Sequence, residues 1–249
     1  TPQYVLTIEV SDGENQASAD VTIDLIDVCN PLSILPCNQL EVSTFPLNLD
    51  FTTANGNLSQ SGLTMVLAPS ARLASDDSNI PDNRIPGYAP GLINQDGSGL
   101  TITSTKGIFF SQLQTIGRTP NSANTNSQLN ALGVGLSART SPFSVSSTLV
   151  VPDFSSSTGN SSQQAGIWYG LDEDRYIKLV VSKRTNTTQR IQLQVEDLTN
   201  NPGSILEVNN ADSNFTAGDI LKLRLEFDPV ANTVQGYYTL NTGAEVLVT

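Results

Sequence analysis

Polar and apolar residues alternate with a period of two in short runs separated by turns and by the long polar loops Ala68 to Gly91, Gly117 to Asn130 and Ser155 to Gln164, and no amphipathic helix of useful length is predicted. The clearest unit runs from Ala165 to Val181. Ile167, Tyr169 and Leu171 share one face of a strand and Trp168 takes the other; Asp172, Glu173 and Asp174 make an acidic turn. Tyr176 to Val181 then forms a second strand, rich in residues that suit a pleated surface. A second hairpin lies at the N-terminus. Tyr4, Leu6, Ile8 and Val10 alternate, the turn Ser11 to Asn15 follows, and Ala17, Ala19, Val21, Ile23 and Leu25 alternate in return.

From about Asn38 onward, short runs recur between breaks of Gly, Asn, Asp, Ser and Pro. They predict strands at Leu47–Phe51, Leu63–Val66, Leu100–Ser104, Phe143–Val150, Gly166–Leu171, Tyr176–Ser182, Arg190–Asp197, Ile220–Phe227, Val234–Leu240 and Glu245–Val248. The fold class expected is all-β, a two-sheet jelly-roll sandwich preceded by a hairpin. The domains read as 1–28 for the hairpin, 29–37 for a linker and 38–249 for the sandwich. The last run, Glu245 to Thr249, ends inside a strand pattern, so the sequence is expected to stop before its domain does. No 20- to 50-residue repeat speaks for a solenoid or propeller.

Several words of this sequence resemble known families. Tyr4-x-Leu6-x-Ile8-x-Val10-x-Asp12-Gly13, followed by a strand that leads to Asp27-Val28, resembles the last two strands of a cadherin-like or bacterial Ig-like repeat. The acidic turn followed by Arg175-Tyr176-Ile177-Lys178-Leu179 resembles the central hairpin of concanavalin A-like (laminin-G-like) domains. So do Pro46 to Phe51 as an opening strand, Leu92 to Thr103 as a turn and strand, and Leu223 to Tyr237 as a late hairpin. This resemblance spans most of residues 40–249. It implies an extracellular lectin-like or adhesion module, and a structural calcium ion near the opening strand, where Asp50 is the matching position. The cadherin calcium motif is not matched: Asp27-Val28-Cys29-Asn30-Pro31 stands in its place, and only Asp27 maps onto it.

Charge narrows the partners. With 24 Asp+Glu against 12 Lys+Arg the net charge is −12, which disfavours nucleic acid and anionic membrane and favours divalent cations. Charged residues are only 14%, so Ser, Thr, Asn and Gln carry the polar surface, a balance that suits secreted β-rich proteins. No apolar run approaches the ~20 residues of a spanning helix, so no membrane insertion is expected. Cys29 and Cys37 enclose a segment holding Pro31 and Pro36. The spacing favours a disulfide that staples the linker in an oxidising compartment, with two free thiols as the alternative. A zinc site lacks its histidines, since the chain contains none.

Hard-oxygen donors concentrate at Asp76, Asp77 and Asp82, where the loop reads either as a calcium site or as a solvated acidic surface. Asp50, between Leu49 and Phe51, adds a carboxylate inside an apolar run. Trp168, with Tyr176 and Tyr237 as neighbours, is the candidate platform for a sugar ring; the competing reading puts the tryptophan in the core. The partner so implied is a glycan or cell-surface ligand. The alternative is a structural subunit whose hairpin adds a strand to copies of itself. Catalysis is not expected. Asp172, Glu173 and Asp174 are adjacent, and cannot flank a glycosidic bond as alternating carboxylates on one strand face do. The sequons at Asn57, Asn160, Asn186 and Asn214 are what chance gives in so Asn-, Ser- and Thr-rich a chain.

Overall fold

The computed structural model describes residues 3–11, 16–24, 42–52, 58, 61–67, 87–105, 128–137, 139–154, 163–172, 175–183, 188–197, 205–209 and 215–248. Cys29, Cys37, Asp76, Asp77 and Asp82, and with them the linker and the acidic loop, lie outside the described residues. Among the described residues every regular element is a β-strand except 3-10 turns at Pro90–Leu92 and at Leu58, and every paired strand of a sheet is antiparallel. They divide into two compact units.

The first unit holds the described residues from 3 to 105 together with Gln128–Ser137. Strands β1 (Gln3–Ser11) and β2 (Gln16–Asp24) pair in register from Gln3↔Asp24 to Ser11↔Gln16 and form a two-stranded sheet. Two shorter pairs follow, β3 (Met65–Val66) with β6 (Leu132–Gly133), and β4 (Ile93–Gln95) with β5 (Leu100–Ile102). Asn130 ties two of these segments. Its side-chain amide accepts from Ala89 N (2.7 Å) and donates to Ala89 O (3.0 Å), so a side chain completes what a backbone partner would. Asn130 itself is at φ 54°, in the left-handed region that asparagine tolerates. The strand expected at Leu47–Phe51 is absent: the segment is irregular, with Asp50 in a local turn.

The second unit carries two four-stranded sheets. One is a meander of β8 (Gln164–Asp172), β9 (Arg175–Lys183), β10 (Gln189–Asp197) and β11 (Ile205–Asn209), in spatial order β11-β10-β9-β8. The other joins β7 (Phe143–Val150) to β12 (Ile220–Asp228), β13 (Thr233–Leu240) and β14 (Val246–Leu247), in order β14-β13-β12-β7. The meander is therefore an excursion between two strands, β7 and β12, that are neighbours in the second sheet.

Strict alternation builds the shared core. Leu221, Leu223, Leu225 and Phe227 point one way from β12 and are buried, while Ile220, Lys222, Arg224 and Glu226 point the other way. Leu179, Val181, Ile191 and Leu193 from the meander meet them in one apolar cluster with Val151, Phe154, Phe215 and Val248. Each such leucine contributes about 1.5–3 kcal/mol of transfer free energy. Phe143, Tyr169 and Phe227 close one end, with ring centroids 4.5–5.5 Å apart. Gly236 on β13 faces this core. A Cβ there would press on Leu179 Cδ1 at 3.2 Å and Leu193 Cδ2 at 3.4 Å, so glycine lets the sheets close on each other.

Leu171 departs from the face expected for it. A register shift between Gly170 and Asp172 turns it outward, and it is 73% exposed.

Candidate functional site

The outer face of the meander, turned away from the core, collects an aromatic and polar set through simple parity. On β8, Ala165, Ile167 and Tyr169 pack on the core, so Gly166, Trp168 and Gly170 face outward. Register then fixes three cross-strand rows, Gly166–Val180–Gln192, Trp168–Lys178–Gln194 and Gly170–Tyr176–Glu196. Adjacent members of a row stand within side-chain reach.

Two parts of this face differ in access. Along β9 and most of β10 it is closed to solvent: Tyr176, Lys178, Ser182, Gln192, Gln194 and Glu196 are all buried, Glu196 to 1% exposure, while Arg190 is half-buried. Along β8, the last strand of its sheet among the described residues, Gly166 and Gly170 are exposed and Trp168 is half-buried. The two glycines flank the indole along its own strand face. They are required by the neighbouring strand as well. A Cβ on Gly166 would lie 2.7 Å from Val180 Cα, and one on Gly170 2.6 Å from Tyr176 Cα, so any larger residue would force β8 away from β9.

The closed part is electrostatically tuned. Burial raises the Tyr176 phenol well above its ordinary value, and a hydrogen bond to Glu196 and the charge of that carboxylate raise it further. Tyr176 is therefore neutral beside the Glu196 carboxylate. Lys178 Nζ lies 5.7 Å from the centroid of the Tyr176 ring, and Gln192 Nε2 donates to Gln194 Oε1 at 3.4 Å. Lys183, on the core side, donates from Nζ to Phe154 O at 3.0 Å.

Of the three aromatic residues proposed from the sequence as one platform, the structure unites two. Trp168 and Tyr176 share a face and Trp168 is not in the core cluster, but Tyr176 is 2% exposed and presents no ring to solvent. Tyr237 belongs to the outer face of the second sheet. There Arg224 stacks on its ring (4.1 Å from guanidinium carbon to centroid), and its hydroxyl donates to Gln235 Oε1 at 2.8 Å. Arg224 also holds Glu226 (2.5 Å) and Glu245 (2.6 Å), and its hydrogen bonds lower the Glu245 carboxyl below the usual range. Asp50 is exposed rather than enclosed in an apolar strand. Its Oδ1 accepts from Thr52 N (2.8 Å) and Thr52 Oγ1 (2.6 Å), and these bonds lower its pKa. Among the described residues no three His, Cys, Asp or Glu side chains gather as a metal site.

Lys178, Gln192, Gln194 and Glu196 were not among the residues singled out from the sequence. The signal for them is Gln192-Leu193-Gln194-Val195-Glu196, a strict alternation that sends three polar side chains to one face. No protein-family model, no curated protein and no solved structure matches this chain.

Proposed function

We propose that this chain is a carbohydrate-binding adhesion module of a larger secreted or cell-surface protein, built on a concanavalin A-like jelly-roll sandwich, and that the glycan docks at Trp168. One observation carries the reading: the only tryptophan stands on the outer face of β8, the last strand of its sheet among the described residues, half-buried and flanked by two glycines on its own strand. Sugars offer an apolar ring face and many hydroxyls, so an indole bordered by polar side chains matches them. The four-strand excursion between β7 and β12 supports the jelly-roll part. In this reading the module performs no catalysis. Calcium stabilises it, with the loop of Asp76, Asp77 and Asp82 as the principal donors and Asp50 as the second candidate.

Tryptophan fluorescence and calorimetry against a glycan panel test the site. A ligand that shifts the emission and loses its affinity with Trp168→Ala supports it; a panel that leaves emission and heat unchanged rejects it. Melting in chelator and in millimolar calcium tests the metal, and an unchanged Tm rejects it.

One observation favours a second reading, a structural subunit that assembles by strand addition. Strands β1 and β2 pair with each other along their whole length and, among the described residues, with no other strand. Such a hairpin gains from joining a further sheet. Growth of open-ended assemblies with concentration would support this reading.

A further inference from the structure

Among the described residues, each sheet of the second unit ends in two outer strands, and three of these four are protected against further pairing. β8 keeps its register only as far as Gly170, after which a shift kinks its end, β11 is five residues long and β14 two. β7 is different. It runs for eight residues in unbroken register with β12, contains no charged residue and no proline, and is bracketed by Pro142 and Pro152.

The backbone polarity of β7 follows from its end. Val151 N donates to Asp219 O (2.8 Å) and Val151 O accepts from Gly218 N (3.0 Å), so this residue bonds toward β12. Alternation along an antiparallel strand then directs the N–H and C=O of Phe143, Val145, Ser147 and Leu149 to β12 as well, and those of Ser144, Ser146, Thr148 and Val150 to the open edge. The side chains of these last four are exposed, Val150 to 59%.

We infer that β7 is an interaction edge whose partner is the β7 of a second copy of this chain, paired antiparallel about a two-fold axis at Ser147. This register sets core-facing residues opposite core-facing residues (Val145 against Leu149) and outward residues opposite outward ones (Ser144 against Val150, Ser146 against Thr148), as a continuous pleat demands. Pro142 falls opposite Pro152, and both lack an N–H, so the ladder stops where the open amides stop. A chain of charge −12 repels its copy, and β7 is a seam without charge; the nearest charged residues in sequence, Arg139 before it and Asp153 after it, have opposite signs and come to the same end of the antiparallel pair. Because the same strand serves both copies, the contact closes on itself and yields a dimer rather than a fibre. The inference is independent of the glycan site, which lies on the other sheet.

Sedimentation equilibrium of the full chain tests it, from micromolar to about 1 mM, a span that covers weak single-strand contacts. The expected result is a monomer–dimer equilibrium in which amide exchange at Ser144, Ser146 and Thr148 slows as dimer forms. Two charge-bearing pairs, Ser146→Lys with Thr148→Lys and Ser146→Glu with Thr148→Glu, place like charges opposite each other and should each weaken the dimer at least about tenfold. Mixing the two variants should restore association as a heterodimer, which a folding defect would not do. A wild-type chain that stays monomeric at about 1 mM overturns the inference. So does a dimer that neither variant weakens, or a concentration-dependent protection that spares the β7 amides.

Discussion

The outer faces of the two sheets solve the same problem in opposite ways. On the second sheet, charged residues lie in the open: Arg224 is clasped by Glu226 and Glu245, lies over Tyr237, and keeps part of its side chain in water. On the meander, Lys178 and Glu196 lie out of solvent among Tyr176, Gln192 and Gln194. Polar groups in the first setting cost little and contribute little. In the second they are tolerable only when hydrogen-bonded, and losing one partner is expensive. A protein retains such a face where precise placement matters. Among its described residues, Gly166 and Gly170 on the strand that carries Trp168 are exposed.

The largest effect expected from breaking this contrast comes from filling the gap between β8 and β9. Gly170→Val drives a side chain into the Tyr176 backbone and should destabilise the protein by about 3 kcal/mol, read as a fall in the urea midpoint. Tyr176→Phe comes next. It removes the polar group that neighbours the buried Glu196 carboxylate and should cost about 1–3 kcal/mol at neutral pH.

The same tyrosine gives the contrast a pH signature. Its proton is held more tightly in the folded than in the unfolded chain, so its contribution is complete below the ordinary tyrosine pKa near ~10 and falls away as pH rises beyond it. Urea midpoints measured from neutral to strongly alkaline pH should drop steeply for the wild type, and less steeply for Tyr176→Phe.

Trp168→Ala should sharpen the comparison by separating site from scaffold. Trp168 is absent from the core cluster, so the loss of stability should be smaller than for Leu223→Ala, a core truncation that costs about 2–5 kcal/mol. Glycan affinity should nonetheless collapse. Smallest of all is Glu245→Gln on the open face, at about 0.5 kcal/mol or less. Because Arg224 depresses the Glu245 carboxyl, that contribution is present above the ordinary glutamate range and disappears as pH falls through the depressed value; added salt should erase it sooner.

What could be read from the sequence follows the range of the interactions involved. The pattern from Leu221 to Asp228 alternates without exception, and the strand there has the faces that parity assigns. Likewise, placing Trp168 opposite Ile167 and Tyr169 needs only neighbours in sequence. Which aromatics stand together depends on strand partners far apart in the chain, and for that reason Tyr237 was grouped with residues of another sheet. Asp50 failed for a local reason. Apolar neighbours Leu49 and Phe51 imitate a strand, but the carboxylate is followed two residues later by a threonine that offers both its N–H and its hydroxyl, an Asx-type turn that ends the extended run. β11 was missed because Glu207 and Asn209 interrupt Ile205, Leu206 and Val208, and pairing with β10 rather than an apolar pattern identifies it.

The pairing of β7 with β12 has a consequence for the time at which the structure can form. Its partners are separated by 70 residues at one end (Ile220 with Val150) and 84 at the other (Phe227 with Phe143), whereas the β8–β9 hairpin closes across Asp172 and Arg175. Closing the long loop is entropically the more costly step and contacts of this kind slow folding. A chain emerging from the ribosome therefore has its whole meander available before β12 exists, and β7 waits with Phe143, Val145 and Leu149 uncovered until residue 227 has been added. Folding of the second sheet therefore waits for β12, and the interval before it is when the nascent chain most needs protection from its neighbours.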